Sequence, residues 1–222
     1  MTGVQTCALP ILSDSDRGGA LLRYDLQVIA SWIAPGERVL DLGCGNGDLL
    51  AHLRDCKQVQ ATGIELDESK VARCIQRGLT VLQGDFCTEI GDYPDNCFDV
   101  VILSQTLQQI GRPHDLLLDM LRVGRRAIVS FPNFAHWRVR LQMLACGRAP
   151  ITDQLPYAWY DTPNIRVLSI GDFQRFMRRF GMQAVREVAI NTHHHETRGH
   201  QVRTLTNLRA TYGIFMLEKE VR

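Results

Sequence analysis

Apolar residues recur along this chain in two alternating periods. Leu22, Leu26, Ile29 and Ile33 are spaced as one face of a helix, and Pro35-Gly36 closes the segment, which predicts a helix over about residues 21–32. Short apolar runs follow at regular distances, and residues 39–41, 58–65, 79–82, 98–103 and 126–131 read as strands. The run over 98–103 is continuous, as expected of a strand covered on both faces. Helical stretches separate the runs. One opens at Asp48-Leu49-Leu50, one extends from Asp67 as cap to Arg77 with Gly78 just past its end, and one covers 113–123. Another spans 169–180, with Ser169-x-x-Asp172 as a capping box and Gly181 after it. Residues 183–190 and 212–218 then read as a closing antiparallel pair. Strands alternating with helices at this spacing predict an α/β fold with a doubly wound, mostly parallel, seven-stranded sheet.

The rhythm breaks beyond Pro132. Residues 133–167 hold Trp137, Trp159, Tyr157, Tyr160, Pro150, Pro156 and Pro163. The segment is too short to bury a core of its own, so it is expected to be an insertion folding over the strand ends. At 222 residues the chain suits one domain, placed over 12–222. Residues 1–11, M-T-G-V-Q-T-C-A-L-P-I, back-translate with a GTG start onto a common sequencing adapter, and they are expected to be a non-native, adapter-derived extension. They lack the basic opening of a secretory signal.

Charge adds little. The net value is +1 with 22% charged residues, so no global field points to nucleic acid or an anionic membrane, and neither is expected as a partner. No apolar run reaches the roughly 18 residues of a spanning helix. Seven cysteines, none in a C-x-x-C pair, read as buried reduced thiols of a cytoplasmic protein. His193-His194-His195 invites a metal reading, but adjacent residues of a strand point to alternate faces and do not converge on one ion. No metal site is expected. Arg122-x-x-Arg125-Arg126 and Arg175-x-x-Arg178-Arg179 read as solvated or partner-facing surface.

The chemistry concentrates in V-L-D-L-G-C-G-N-G-D-L-L, residues 39–50. Asp41 ends a strand, and Gly43, Gly45 and Gly47 follow at alternate positions before a helix opens. Glycines let the chain turn sharply and let a ligand approach the backbone, and the helix start beyond offers free N–H groups. The dinucleotide fingerprint G-x-G-x-x-G is not met, because its third glycine would fall at Asp48. D-x-G-x-G-x-G resembles the S-adenosylmethionine (SAM) loop of class I methyltransferases, whose Rossmann-like fold is expected here.

On that reading Asp41 lies near the ammonium of the methionine moiety. Glu65, 18 residues after Gly47 at a strand end, accepts from the ribose hydroxyls, near the spacing dinucleotide folds use. Asp85 in Q-G-D-F accepts from the adenine amino group beside the Phe86 ring, and Ser104 closes the cofactor set at the end of the fourth strand. Each acid alone would be read as a solvated cap or turn residue; three at successive strand ends favour the cofactor. No general base stands in Leu103–Gln109, nor the N-P-P-Y-type motif of enzymes methylating DNA bases. Gln105, Asn133, His136, Trp137, Tyr160 and Asp161 are placed around a substrate or partner pocket; the aromatics equally suit a roof over the sheet edge. No residue is assigned a catalytic role.

The stretches L-S-Q-T-L-Q, R-V-G-R-R-A-I-V-S-F-P-N-F-x-H-W-R-x-R-L and L-P-Y-x-W-Y-D-T-P-N-I, together with the glycine loop, resemble the MetW family of methionine biosynthesis. The resemblance runs from about Leu22 to the C-terminus. It implies a bacterial cytoplasmic protein with a methyltransferase-like fold, binding SAM or S-adenosylhomocysteine, that associates with and activates a homoserine O-acetyl- or O-succinyltransferase. The alternative is a SAM-dependent methyltransferase acting on a small molecule.

Overall fold

The sheet is centred on a strand whose neighbours run in opposite sequence directions, and this sets where a ligand can sit. In the computed structural model, which describes residues 22–193 and 195–218, the elements run as follows. α1 is Tyr24–Ser31, β1 Arg38–Leu42, α2 Asp48–Lys57, β2 Gln60–Glu65, α3 Glu68–Gln76, β3 Thr80–Gln83, α4 Phe86–Glu89 and β4 Phe98–Ser104. Then come α5 Pro113–Val123, β5 Gly124–Pro132, α6 Trp137–Cys146, α7 Ile170–Arg179, β6 Gln183–Thr192, β7 Gly199–Gln201, α8 Thr206–Arg209 and β8 Tyr212–Glu218. Strand order is β3-β2-β1-β4-β5-β8-β6-β7, with β1 to β5 parallel and β8, β6 and β7 antiparallel to their neighbours. β1 pairs with β2 on one side and β4 on the other, so the order reverses beside it. Ligands of open α/β sheets bind at the carboxyl ends of the strands at such a reversal.

The core forms on both faces because β4 alternates within its apolar run. Val101 and Leu103 face a cluster with Leu117 and Met120 of α5 and Phe173 and Met177 of α7. Val100 and Ile102 face Leu26 and Ile29 of α1 and Leu49 and Leu53 of α2. Opposite faces at successive positions are what the strand period requires. A third, smaller cluster, with Cys44, Leu50 and Cys74, packs α2 and α3 against the loop after β1.

The capping signals fall where expected. Asp67 accepts from the Ser69 and Lys70 N–H groups at the start of α3, and Ser169 accepts from Asp172 N at 3.1 Å at the start of α7. Two expectations need correction. The sheet has eight strands, not seven, because the polar Gly199–Gln201 pairs with Ile190–Thr192. The thiols are not uniformly buried: Cys56, Cys87 and Cys146 are exposed, whereas Cys44 and Cys74 are buried. The segment read as an insertion carries a helix, α6, in its first part. The expectation for residues 1–11 lies outside the described residues, as does His194. Among the described residues no helix is long and apolar enough to cross a membrane.

Candidate functional site

β1 carries the chain to the reversal point, and the glycine loop hangs over the end of its neighbour: Gly43 N and Cys44 N both donate to Ile64 O, at 2.8 and 3.1 Å. Gly43, Gly45 and Gly47 all have left-handed φ, of 74°, 59° and 75°. Two of them serve different ends. A Cβ on Gly47 would collide with Leu79 and the Cys74 thiol, so this glycine allows α2 to pack against α3. A Cβ on Gly45 would meet nothing within 4 Å, so that backbone faces open space, as a ligand cradle requires. α2 starts from Gly47 with no side-chain cap, leaving its first N–H groups to an outside acceptor.

The acids stand around this loop in different states. Glu65 is buried and turned onto the backbone. Its Oε2 accepts from Gly45 N at 2.8 Å, and its Oε1 accepts from Leu66 N and Asp67 N, both at 3.0 Å, with Lys70 Nζ at 4.0 Å. A carboxylate offers about four lone-pair directions, so three accepted bonds leave it little further capacity. Asp41 is 3% exposed, and burial, reinforced by the Glu65 charge and opposed by Arg23, pushes its carboxyl up to about 7. Asp85 caps α4 through Oδ1, which accepts from Cys87 N at 2.9 Å; this is the capping role weighed against adenine recognition. Phe86 does stand at the loop: a Cβ on Gly43 would lie 3.7 Å from its ring and 3.5 Å from Thr106 Oγ1.

At the end of β4, Ser104 Oγ lies 3.1 Å from Ser130 Oγ, and Gln105 N donates to Ser130 O at 2.9 Å. Gln105 itself holds φ 55°, a left-handed conformation that costs a non-glycine residue about 1–2 kcal/mol. Its side chain donates to Asp25 Oδ2 at 2.7 Å, and Asp25 also accepts from Arg23 Nε and Nη2, at 3.2 and 3.0 Å. This Arg23–Asp25–Gln105 network, whose Arg23 charge acts on Asp41, was not predicted. A signal was present: Asp25, 2% exposed, falls on the same helical face as Leu22 and Ile29, where an unpaired acid would be costly.

The expected pocket residues separate. Asn133 is 3% exposed, and its Nδ2 donates to Asn207 O and Ala210 O while its Oδ1 accepts from Ala135 N and Ile170 N. All four of its hydrogen-bonding positions are thereby engaged, three of them joining the insertion to α7 and the segment before β8 and the fourth held by Ala135 within the insertion. His136 is buried and caps α6, its Nδ1 accepting from Arg138 N at 3.4 Å. Burial and the neighbouring Arg138 lower its pKa, and its Nε2 is a buried atom without a hydrogen-bond partner. Trp137 is half exposed beneath the Arg138 guanidinium, 5.4 Å away. Tyr160 is 77% exposed in an edge-on pair with Trp159, and Asp161 is also exposed. No described hydrogen bond joins Tyr160 or Asp161 to the glycine loop.

Two shallow hollows of about 360 and 400 Å³ open at the other end of the sheet. One is lined by Arg38, Gln60, Thr80 and Phe98, the other by Glu37, Asp99 and Arg126. No chemistry converges in either. Among the described residues no three His, Cys, Asp or Glu side chains are grouped to hold a metal ion.

The sheet order and the glycine loop together define the fold of the SAM-dependent methyltransferases. Solved structures agree: a SAM-dependent methyltransferase from Archaeoglobus fulgidus superposes with TM-score 0.62 at 14% identity, covering 88% of this chain and 91% of that one. The [4+2]-cyclase SpnF has the same fold, with TM-score 0.61 at 16% identity, covering 89% of this chain and 81% of that one. The model of the family described as methionine biosynthesis protein MetW matches residues 23–217, and the chain belongs to that family. It is 36% identical over 176 residues to the bifunctional methionine biosynthesis protein MetXA/MetW of Rhodopirellula baltica, covering 75% of this chain. The chain spans 28% of that relative's length.

Proposed function

We propose that this chain binds SAM or S-adenosylhomocysteine at the glycine loop and acts in the cytoplasm with a homoserine O-acetyl- or O-succinyltransferase, which it activates. The residues fit the nucleoside. Gly45 leaves its backbone open to a ligand, Asp41 supplies a carboxylate for the ammonium, and the Arg23 charge acts on it. Glu65, with one acceptor direction left, would take a ribose hydroxyl, and Asp85, which caps α4 through Oδ1 alone, would reach the base through its other oxygen, with Phe86 beside the ring and Ser104 at the neighbouring strand end. Asp41, near neutrality when the site is empty, ionises as a cation approaches, so binding draws a proton off this group. The sulfonium supplies a methyl electrophile; nothing in the arrangement calls for its transfer.

One observation carries the partner assignment: the Rhodopirellula relative joins MetXA and MetW in a single polypeptide. Functions fused in one chain are held at high effective concentration, which suits proteins that act on each other. The cleft agrees, since Asn133 is spent on the scaffold and His136 buries its free nitrogen, so neither is poised as a base. Co-purification with the acyltransferase, and acylation assayed with and without this chain, test the reading. Absence of a complex together with unchanged acylation removes it.

A second reading, methyl transfer to a small molecule, is supported by the complete glycine loop and by the tolerance of displacement at a sulfonium for alignment without a base. Labelled SAM with cell extract, compared with a Gly45→Arg variant, tests it; no transferred label in any component removes it.

A further inference from the structure

α6 is a helix turned the wrong way round for a folded domain. Ten of the seventeen large apolar side chains exposed among the described residues fall within 137–167, and α6 contributes four of them, Trp137, Leu141, Met143 and Leu144. Only Val139 of its ten residues is buried. Trp137, Leu141 and Leu144 stand at i, i+4 and i+7, which places them on one stripe within about 60° of arc, opposite the side that Val139 packs. Leu144 is 86% exposed and Leu141 54%. A ten-residue helix is marginal by itself in water, and helices of this length are held by burying such a stripe. Here the stripe covers nothing among the described residues.

Charge selects the occupant. Residues 137–151 contain Arg138, Arg140 and Arg148 and no acid. Arg138 lies over the Trp137 ring and Arg140 Nε donates to Ala135 O, so cations rim the stripe on both sides. Packing two copies about a two-fold axis would set this cationic surface against itself. A groove that is apolar at its centre and edged with carboxylates would accept it as an amphipathic helix. In the fused relative the MetW portion is tethered to a larger remainder, which keeps such a face within reach of it.

We infer that the Trp137–Leu141–Leu144 stripe of α6 is the surface by which this chain docks on the acyltransferase, in an apolar groove edged with acids. The inference rests on the partner named above and adds the surface. The test uses the full chain carrying Leu141→Asp and Leu144→Asp, two exposed positions outside the nucleoside cleft. Complex formation with the purified acyltransferase is measured by calorimetry beside the heat of S-adenosylhomocysteine binding. Complex affinity is expected to fall about 100-fold or more, with loss of the acylation stimulus, while the nucleoside heat stays unchanged. A second variant, Leu144→Met, keeps the apolar surface and is expected to bind within about threefold of the parent chain.

If the parent binds the acyltransferase and the double variant binds within about twofold of it, the docking surface is refuted and the partnership stands. If the parent does not bind the acyltransferase at all, the partnership and the docking surface both fail. If the parent self-associates through this face, or adsorbs to phosphatidylglycerol vesicles, and the double variant does neither, the occupant is a second copy or a lipid surface and the inference is overturned.

Discussion

Asn133 is expected to hold the molecule together and not to touch a ligand, and the two roles separate under one substitution. Asn133→Ala removes bonds of 2.9 and 3.1 Å to Ala210 O and Asn207 O and of 3.1 and 3.3 Å from Ala135 N and Ile170 N. The bonds to Ala210 O and Ile170 N are buried, so water does not replace the lost partner, and each stranded group costs about 1–3 kcal/mol. The other two are part-buried and cost less, about 0.5–1 kcal/mol each, since water recovers most of the bond. The sum is about 3–8 kcal/mol, a large fraction of the roughly 5–15 kcal/mol that holds a domain folded. In a domain of this size the melting temperature should fall by about 6–30 °C. Urea titration followed by circular dichroism gives the free energy directly. Calorimetry with S-adenosylhomocysteine on the folded variant in the cold should show an affinity near that of the parent chain. A loss of stability below about 1 kcal/mol with a large loss of affinity would overturn the scaffold role and return Asn133 to the pocket.

Asp41 gives a pH signature. Its folded carboxyl stands above the usual carboxylate range, so the native state holds a proton that the unfolded chain has released, and the stability it contributes is lost as pH rises from about 4 through about 7. Asp41→Asn should therefore flatten the fall in the urea midpoint between those limits; parallel curves for the two proteins would refute this. In the parent chain nucleoside affinity should rise over the same interval as the carboxylate forms, and in Asp41→Asn it should not. Gly45→Arg should abolish the heat of S-adenosylhomocysteine binding while costing only about 1–2 kcal/mol of stability, because the position is open and strained only in φ. Gly47→Ala should cost more, since its Cβ meets Leu79 and Cys74; equal destabilisation by the two would refute the division of labour in the loop. Maleimide labelling mapped by mass spectrometry should reach Cys146 under native conditions, whereas Cys44, whose thiol is pushed well up chiefly by burial, reacts only after unfolding.

The parallel half of the sheet was legible because its signals were local. Apolar runs, Gly78 past a helix end and the Ser169–Asp172 box each specify an element within a few residues. β7 was not legible: Gly199–Gln201 has no alternation and becomes a strand only by pairing with Ile190–Thr192, a tertiary event. α6 was hidden because its stripe stood in an aromatic and proline-rich segment whose side chains suited a pocket and a roof equally. In the candidate site, the loop and acids could be placed from strand ends, whereas the states of those acids could not. That Glu65 accepts from Gly45 N, or that Asn133 is fully engaged, depends on partners 20 to 77 residues away.

The position of β8 has a consequence for how the chain becomes a folded protein. β8, residues 212–218, lies between β5 and β6, and neither of those strands has another route to the other. During synthesis the apolar β5 therefore waits as an open border, and the β6–β7 ribbon has nothing to dock on, until almost the last described residues have been made. A ribosome-bound or prematurely terminated product would present that unpaired border to its neighbours, the condition under which chains aggregate or recruit chaperones.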